Sequence, residues 1–181
     1  MFATPQVTPT GSRTRAIHSL DSLARLSFDE LDGLYRRATV PSTMRVVDGA
    51  LRGRMLAIRS LPAAIAEPLR RWAGSASFVW EGKTFQSMSD SAGVGHNRVR
   101  VAGVLGRQNL FPFETRFDAS EIDGRPTLVL DYDLEVNPPY IRRIHDEIRE
   151  IEPRLLLGPA MWKRERDKLL VLWFALDARM A

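Results

Sequence analysis

Apolar and polar positions alternate through much of the chain from residue 49 onward. Gly49, Leu51, Gly53 and Met55 alternate with Ala50, Arg52 and Arg54; Phe78, Trp80 and Gly82 alternate with Val79, Glu81 and Lys83. Asn97, Val99 and Val101 face away from His96, Arg98 and Arg100. Phe111, Phe113, Thr115 and Phe117 alternate with Pro112, Glu114 and Arg116, and Leu128, Leu130, Tyr132 and Leu134 with Val129, Asp131, Asp133 and Glu135. A period of two predicts antiparallel strands with one buried and one wet face. Turn residues stand at Glu81-Gly82-Lys83, Ala92-Gly93-Val94-Gly95 and Asp123-Gly124-Arg125. Leu155–Trp162 and Leu169–Leu176 are apolar at nearly every position, which predicts two strands covered on both faces.

Helical spacing predicts three further elements. Ser27 and Glu30 form a capping-box pattern ahead of Leu31, Leu34 and Tyr35, in a helix that stops before Pro41. Leu61–Trp72 reads as a second helix, short or kinked at Pro68. Over 138–151, Asn137 as cap, Pro138 and Pro139 in the first turn and the stripe Tyr140, Ile141, Ile144, Ile148 and Ile151 predict an amphipathic helix. Its isoleucines would cover the doubly apolar strands, with Arg142, Arg143, Asp146, Glu147 and Arg149 in solvent. Together these elements describe a mainly β chain: an antiparallel barrel of seven or eight strands, with N-terminal helices and one helix before the last two strands. The rival is an open sheet curved around the long helix. Residues 1–20, rich in Thr, Pro, Ser and Gly, read as a flexible tail, and 21–181 as a single barrel domain.

Composition narrows the chemistry. The absence of cysteine excludes disulfides, thiolate metal sites and a cysteine nucleophile. The net charge of +4 carries little information, because 23 of the 26 basic residues are arginines and they do not form a stripe. Nucleic acid is therefore not an expected partner. No apolar run approaches the roughly 18 residues needed to span a bilayer, and no signal-peptide pattern opens the chain, so a cytoplasmic location is expected. A homodimer is an open possibility, with Trp162 and Trp173 on doubly apolar strands as interface candidates.

The inward faces supply the candidate site. Leu51, Met55, Phe78, Val99, Val101, Phe111, Phe117, Leu128, Leu130 and Leu134 would make an apolar lining, and Gly49 and Gly53 would leave it space. Among them Trp80, Asn97, Phe113, Thr115 and Tyr132 are the candidate ligand-binding residues, since a few polar tips in an apolar cavity are the usual form of a small-molecule site. On the wet face, Asp131 and Asp133 read as part of a solvated charge ladder with Arg98, Arg100 and Arg116. His18 falls in the tail and His145 on the polar side of the expected helix; His96, beside a glycine-rich turn, is the histidine best placed for catalysis. No metal spacing, phosphate loop, nucleophile elbow or dinucleotide fingerprint is present, so no metal or cofactor is expected.

The run Leu130-Asp131-Tyr132-Asp133, Asn137-Pro138, Ile141-Arg142, Asp146-Glu147, Leu155-Leu156-Leu157-Gly158 and Phe174-Ala175-Leu176 resembles a group of uncharacterised bacterial lipocalin-like, or calycin-like, barrel proteins. The resemblance covers the C-terminal third and implies the barrel; it implies no functional residues. Three function classes follow from the sequence. The first is binding of a small, largely apolar molecule in the barrel. The second is a cofactor-independent isomerase, cyclase or lyase using the same cavity for a hydrophobic substrate. The third is an interaction module without a cavity.

Overall fold

The computed structural model describes residues 18–59, 78–101 and 106–179. The alternating stretches are strands: β1 (Gly49–Ile58), β2 (Phe78–Ser87), β3 (Ala92–Val101), β4 (Gly106–Ala119) and β5 (Pro126–Asp131), followed by β6 (Ile144–Glu152), β7 (Leu155–Lys163) and β8 (Lys168–Asp177). All neighbours pair antiparallel, and β8 returns to β1, closing an eight-strand barrel. Eight strands give an interior that side chains nearly fill. Leu51, Phe85, Phe113, Leu128, Leu130, Ile148, Leu156, Phe174 and Leu176 fill it here. At one end a short 3₁₀ turn, Met44–Val47, inserts Met44 and Val47 into that core as a plug.

Two short helices precede the barrel, α1 (Leu20–Leu23) and α2 (Phe28–Arg37). The capping box at Ser27 and Glu30 is formed in both directions, with Ser27 N–H donating to Glu30 Oε2 at 2.8 Å. The doubly apolar strands β7 and β8 are covered on the outside, as their sequence requires, but by these helices. Leu23, Leu31 and Tyr35 pack on Leu155, Leu157, Trp173 and Ala175. Trp162 and Trp173, the interface candidates, are 5% and 0% exposed within the single chain.

The helix expected over 138–151 is instead a turn followed by β6. Ile144 and Ile148 lie four residues apart, a spacing that a strand also places on one face. In β6 they point inward with Asp146 between them, while His145, Glu147 and Arg149 lie on the outer face, where Glu147 and Arg149 meet Tyr35 of α2; all but the half-buried Ile144 are buried. His145 is thus not in solvent. The helix expected over Leu61–Trp72 lies outside the described residues. His18, assigned to the tail, is tied to the barrel: its Nδ1 lies 2.6 Å from Glu152 Oε1. Among the described residues no helix is long and apolar enough to cross a membrane.

Two expected turns are also strand. Gly93 and Gly95 lie inside β3, and Gly82 lies inside β2, where the register slips between Trp80 and Gly82. Gly82 has φ +136°, and a Cβ there would stand 2.1 Å from the Leu51 carbonyl oxygen, so the position demands glycine. The slip is a β-bulge, and it changes which side chains of β2 face inward. Beyond it Lys83 and Phe85, not Gly82 and Thr84, enter the interior. Asp123-Gly124-Arg125 is a turn as expected, with Gly124 at φ +70°.

Candidate functional site

The bulge at Gly82 sets the chemistry of the barrel interior. It carries Lys83 inside, where 2% of the residue is exposed, among the rings of Trp80, Phe113, Tyr132 and Phe174. Its Nζ lies 5.2–5.6 Å from those ring centroids, a cage that favours a cation. Across the barrel, β6 supplies the opposite charge: Lys83 Nζ donates to Asp146 Oδ2 at 2.9 Å. Tyr132 follows the last residue of β5, and its hydroxyl donates to the same Asp146 oxygen at 3.0 Å while accepting from Lys83. Asn97 on β3 accepts from Lys83 and from the Trp80 indole, each at 2.9 Å. Its amide nitrogen donates to the Tyr132 hydroxyl at 3.3 Å.

This polar group forms the floor of a half-enclosed cavity at the end of the barrel away from the 3₁₀ plug. Its walls are Met55, Trp80, Ile144, Trp162, Leu172 and Phe174, with Ile141 of the turn before β6 beside them. The cavity is small, about 40 Å³, against the roughly 10–15 Å³ that one water takes. Of its lining, Ile144 and Trp80 are partly exposed, whereas Asp146 and Lys83 are buried.

Burial governs the ionisation of the floor. Removal from water pushes the Lys83 ammonium below its ordinary value, with the Asp146 carboxylate pulling it back up. Burial, and then the same carboxylate, hold the Tyr132 phenol well above its ordinary value, so it remains a donor. Two further hydrogen bonds fix the chain around Tyr132: Asn137 Nδ2 donates to the carbonyls of Tyr132 and Pro112 at 2.9 and 2.8 Å. Asn137, read as a helix cap, is a clamp on this turn.

Of the sequence candidates, Trp80, Asn97 and Tyr132 line the cavity together. Phe113 stands behind them, its ring 5.2 Å from that of Tyr132. Thr115 is elsewhere, deeper toward the plug, where its hydroxyl meets the Met44 sulfur at 3.5 Å. Gly53 leaves no free space, because the Trp80 ring occupies the place of its missing side chain. His96 lies on the outer face of β3, opposite in parity to buried Gly95 and Asn97, and is not in the cavity. Asp131 and Asp133 hold surface ion pairs with Arg116 and Arg142, at 3.2 and 2.7 Å. Partial burial works against the Asp131 charge, but hydrogen bonds from Lys163 and the Asp133 amide outweigh it and lower the carboxyl to about 2.

Lys83 and Asp146 are the residues that sequence reasoning missed, both assigned to wet faces. The available signal was the scarcity of lysine in an arginine-rich chain, with Lys83 directly after a glycine inside a strand.

No protein-family model matches the chain, and no curated protein matches it. Among solved structures, a protein from Thermomonospora curvata aligns with a TM-score of 0.49 and 18% identity, over 84% of this chain and 87% of that one.

Proposed function

We propose that the barrel binds a small, largely apolar molecule, whose apolar body lies among Trp80, Ile144, Trp162 and Leu172. The floor of Lys83, Asp146, Tyr132 and Asn97 orients it. The observation that carries this reading is a buried ion pair at the bottom of an apolar, half-enclosed cavity. A buried pair contributes little stability relative to apolar residues of the same volume. A few convergent polar groups in an apolar concavity are the common form of a ligand site. Native mass spectrometry of protein purified from its own host tests the reading. A bound apolar compound that is lost when Ile144 and Leu172 are both enlarged to Trp is the expected result. A bare polypeptide that also binds no short-chain amphiphile overturns it.

One observation favours a second reading, a cofactor-independent isomerase, cyclase or lyase. Lys83, Asp146 and Tyr132 form a continuous hydrogen-bonded chain, and burial displaces two of them from their ordinary protonation ranges. Such a chain can move protons within an enclosed substrate. Incubation of the co-purified compound with the protein separates the readings: unchanged mass and retention mean binding, a new isomer or fragment means catalysis.

A further inference from the structure

The hydrogen-bonding groups at the cavity floor can be counted to completion. The Lys83 ammonium has three N–H donors, and they meet Asn97 Oδ1, Tyr132 Oη and Asp146 Oδ2. The Trp80 indole N–H is taken by Asn97 Oδ1. The Tyr132 hydroxyl gives its proton to Asp146 Oδ2 and accepts from Lys83 and Asn97. The Asn97 amide nitrogen is divided between Tyr132 and the Phe111 carbonyl at 3.3 and 3.4 Å. Every donor of this group is engaged. One acceptor is not: Asp146 Oδ1 is buried and has no hydrogen-bond partner among the described residues. Asp146 is 4% exposed and lines the cavity.

We infer that the ligand's polar end is a neutral hydrogen-bond donor, an alcohol or an amide N–H, received by Asp146 Oδ1. This rests on the binding function proposed above and names its ligand class. A carboxylate or ketone would bring only acceptors to a floor whose donors are already used, and a carboxylate would also face the Asp146 charge. An ammonium would upset a balance that Lys83 already provides. Tyr132 and Lys83 then act as positioning residues. By occupying Oδ2 they fix the carboxylate and leave Oδ1 for the ligand.

The test uses the full chain and three probes of equal carbon count: octan-1-ol, octan-2-one and sodium octanoate. Binding is followed by the fluorescence of Trp80 and Trp162 on the cavity wall. Octan-1-ol should bind at least about tenfold more tightly than either of the others, the worth of one hydrogen bond to a charged acceptor. In the paired variant Lys83→Met with Asp146→Leu, which removes both charges together, the alcohol–ketone difference should disappear while binding persists. If octan-2-one or octanoate binds as tightly as octan-1-ol, the donor inference fails and the binding function stands. If none of the three binds, both fail.

Discussion

Lys83 and Asp146 meet across the barrel: the ammonium on β2 and the carboxylate on β6 are 2.9 Å apart, on strands four places removed in an eight-strand ring. They are 63 residues apart in sequence, and their contact ties opposite walls at the level of the cavity floor. Removing one partner leaves the other charged and buried. Lys83→Met should therefore destabilise the protein by about 3–5 kcal/mol, whereas Lys83→Met with Asp146→Leu should be close to neutral. Urea unfolding of the two single variants and the double variant gives the coupling directly. Additive losses in the double variant would show that the two groups do not act as a pair.

Tyr132 separates support of the floor from contact with ligand. Its hydroxyl accepts from Lys83 and Asn97 and donates to Asp146 Oδ2. Tyr132→Phe leaves those buried groups short of a partner and should cost about 1–3 kcal/mol without ligand. Because the ligand is assigned to Asp146 Oδ1, the increase in Tm on adding octan-1-ol should be nearly the same as in the unaltered protein. A thermal-shift comparison decides it: loss of that increase, with little change in the ligand-free Tm, would make Tyr132 a direct ligand contact.

Gly82 determines which side of β2 faces inward. With φ at +136° and the Leu51 carbonyl 2.1 Å from the place of a Cβ, Gly82→Ala must distort the bulge. It should destabilise by more than about 1 kcal/mol. The bulge directs Lys83 inward, so the variant should also weaken octan-1-ol binding. If chemical denaturation shows stability unchanged while binding is retained, the bulge does not set the orientation of Lys83.

These residues also show what the sequence could and could not disclose. The period-two pattern gave the inward positions of Leu51, Val99, Phe113, Leu128 and Leu130, and through them the barrel. It failed wherever the period was interrupted. A bulge adds one residue to one strand, and nothing in Glu81-Gly82-Lys83 distinguishes a bulge from a hairpin turn by composition. The β6 segment failed for a different reason. Ile144 and Ile148 suit a helix or a strand equally, and the charges between them decided for a helix, because charged residues were assigned to water. The charges of β6 are buried because distant parts of the chain supply their partners: Lys83 pairs with Asp146, Asp123 pairs with Arg149, and the Tyr35 and Ser120 hydroxyls donate to Glu147. Partners 26 to 112 residues away leave no local signature. The candidate site was half legible for the same reason. Trp80, Asn97 and Tyr132 follow from parity, but the ion pair at its centre depends on a bulge and a distant strand.

Glu147 links helix α2 to the barrel wall and should make that link sensitive to acid. Its carboxylate is fully buried and accepts from the Tyr35 hydroxyl at 2.6 Å, the Glu121 amide at 2.8 Å, and the Ser120 hydroxyl; His145 Nε2 lies 3.3 Å away. Burial alone would raise its titration, but the donors outweigh it and hold the carboxyl below its ordinary value of 4.5. A carboxyl lowered in the folded state contributes stability above its unfolded value and loses it as pH falls through the folded one. The contribution should therefore be complete at pH 7 and decline below about 4.5. Glu147→Gln keeps the shape but removes the charge that these donors serve, and should cost about 1–3 kcal/mol at pH 7. Unfolding free energies measured by urea titration from pH 7 down to pH 3 should show the two proteins converging, because the protonated wild type loses what the variant lacks throughout. A gap that stays constant over that range would mean that shape, not charge, is what Glu147 contributes.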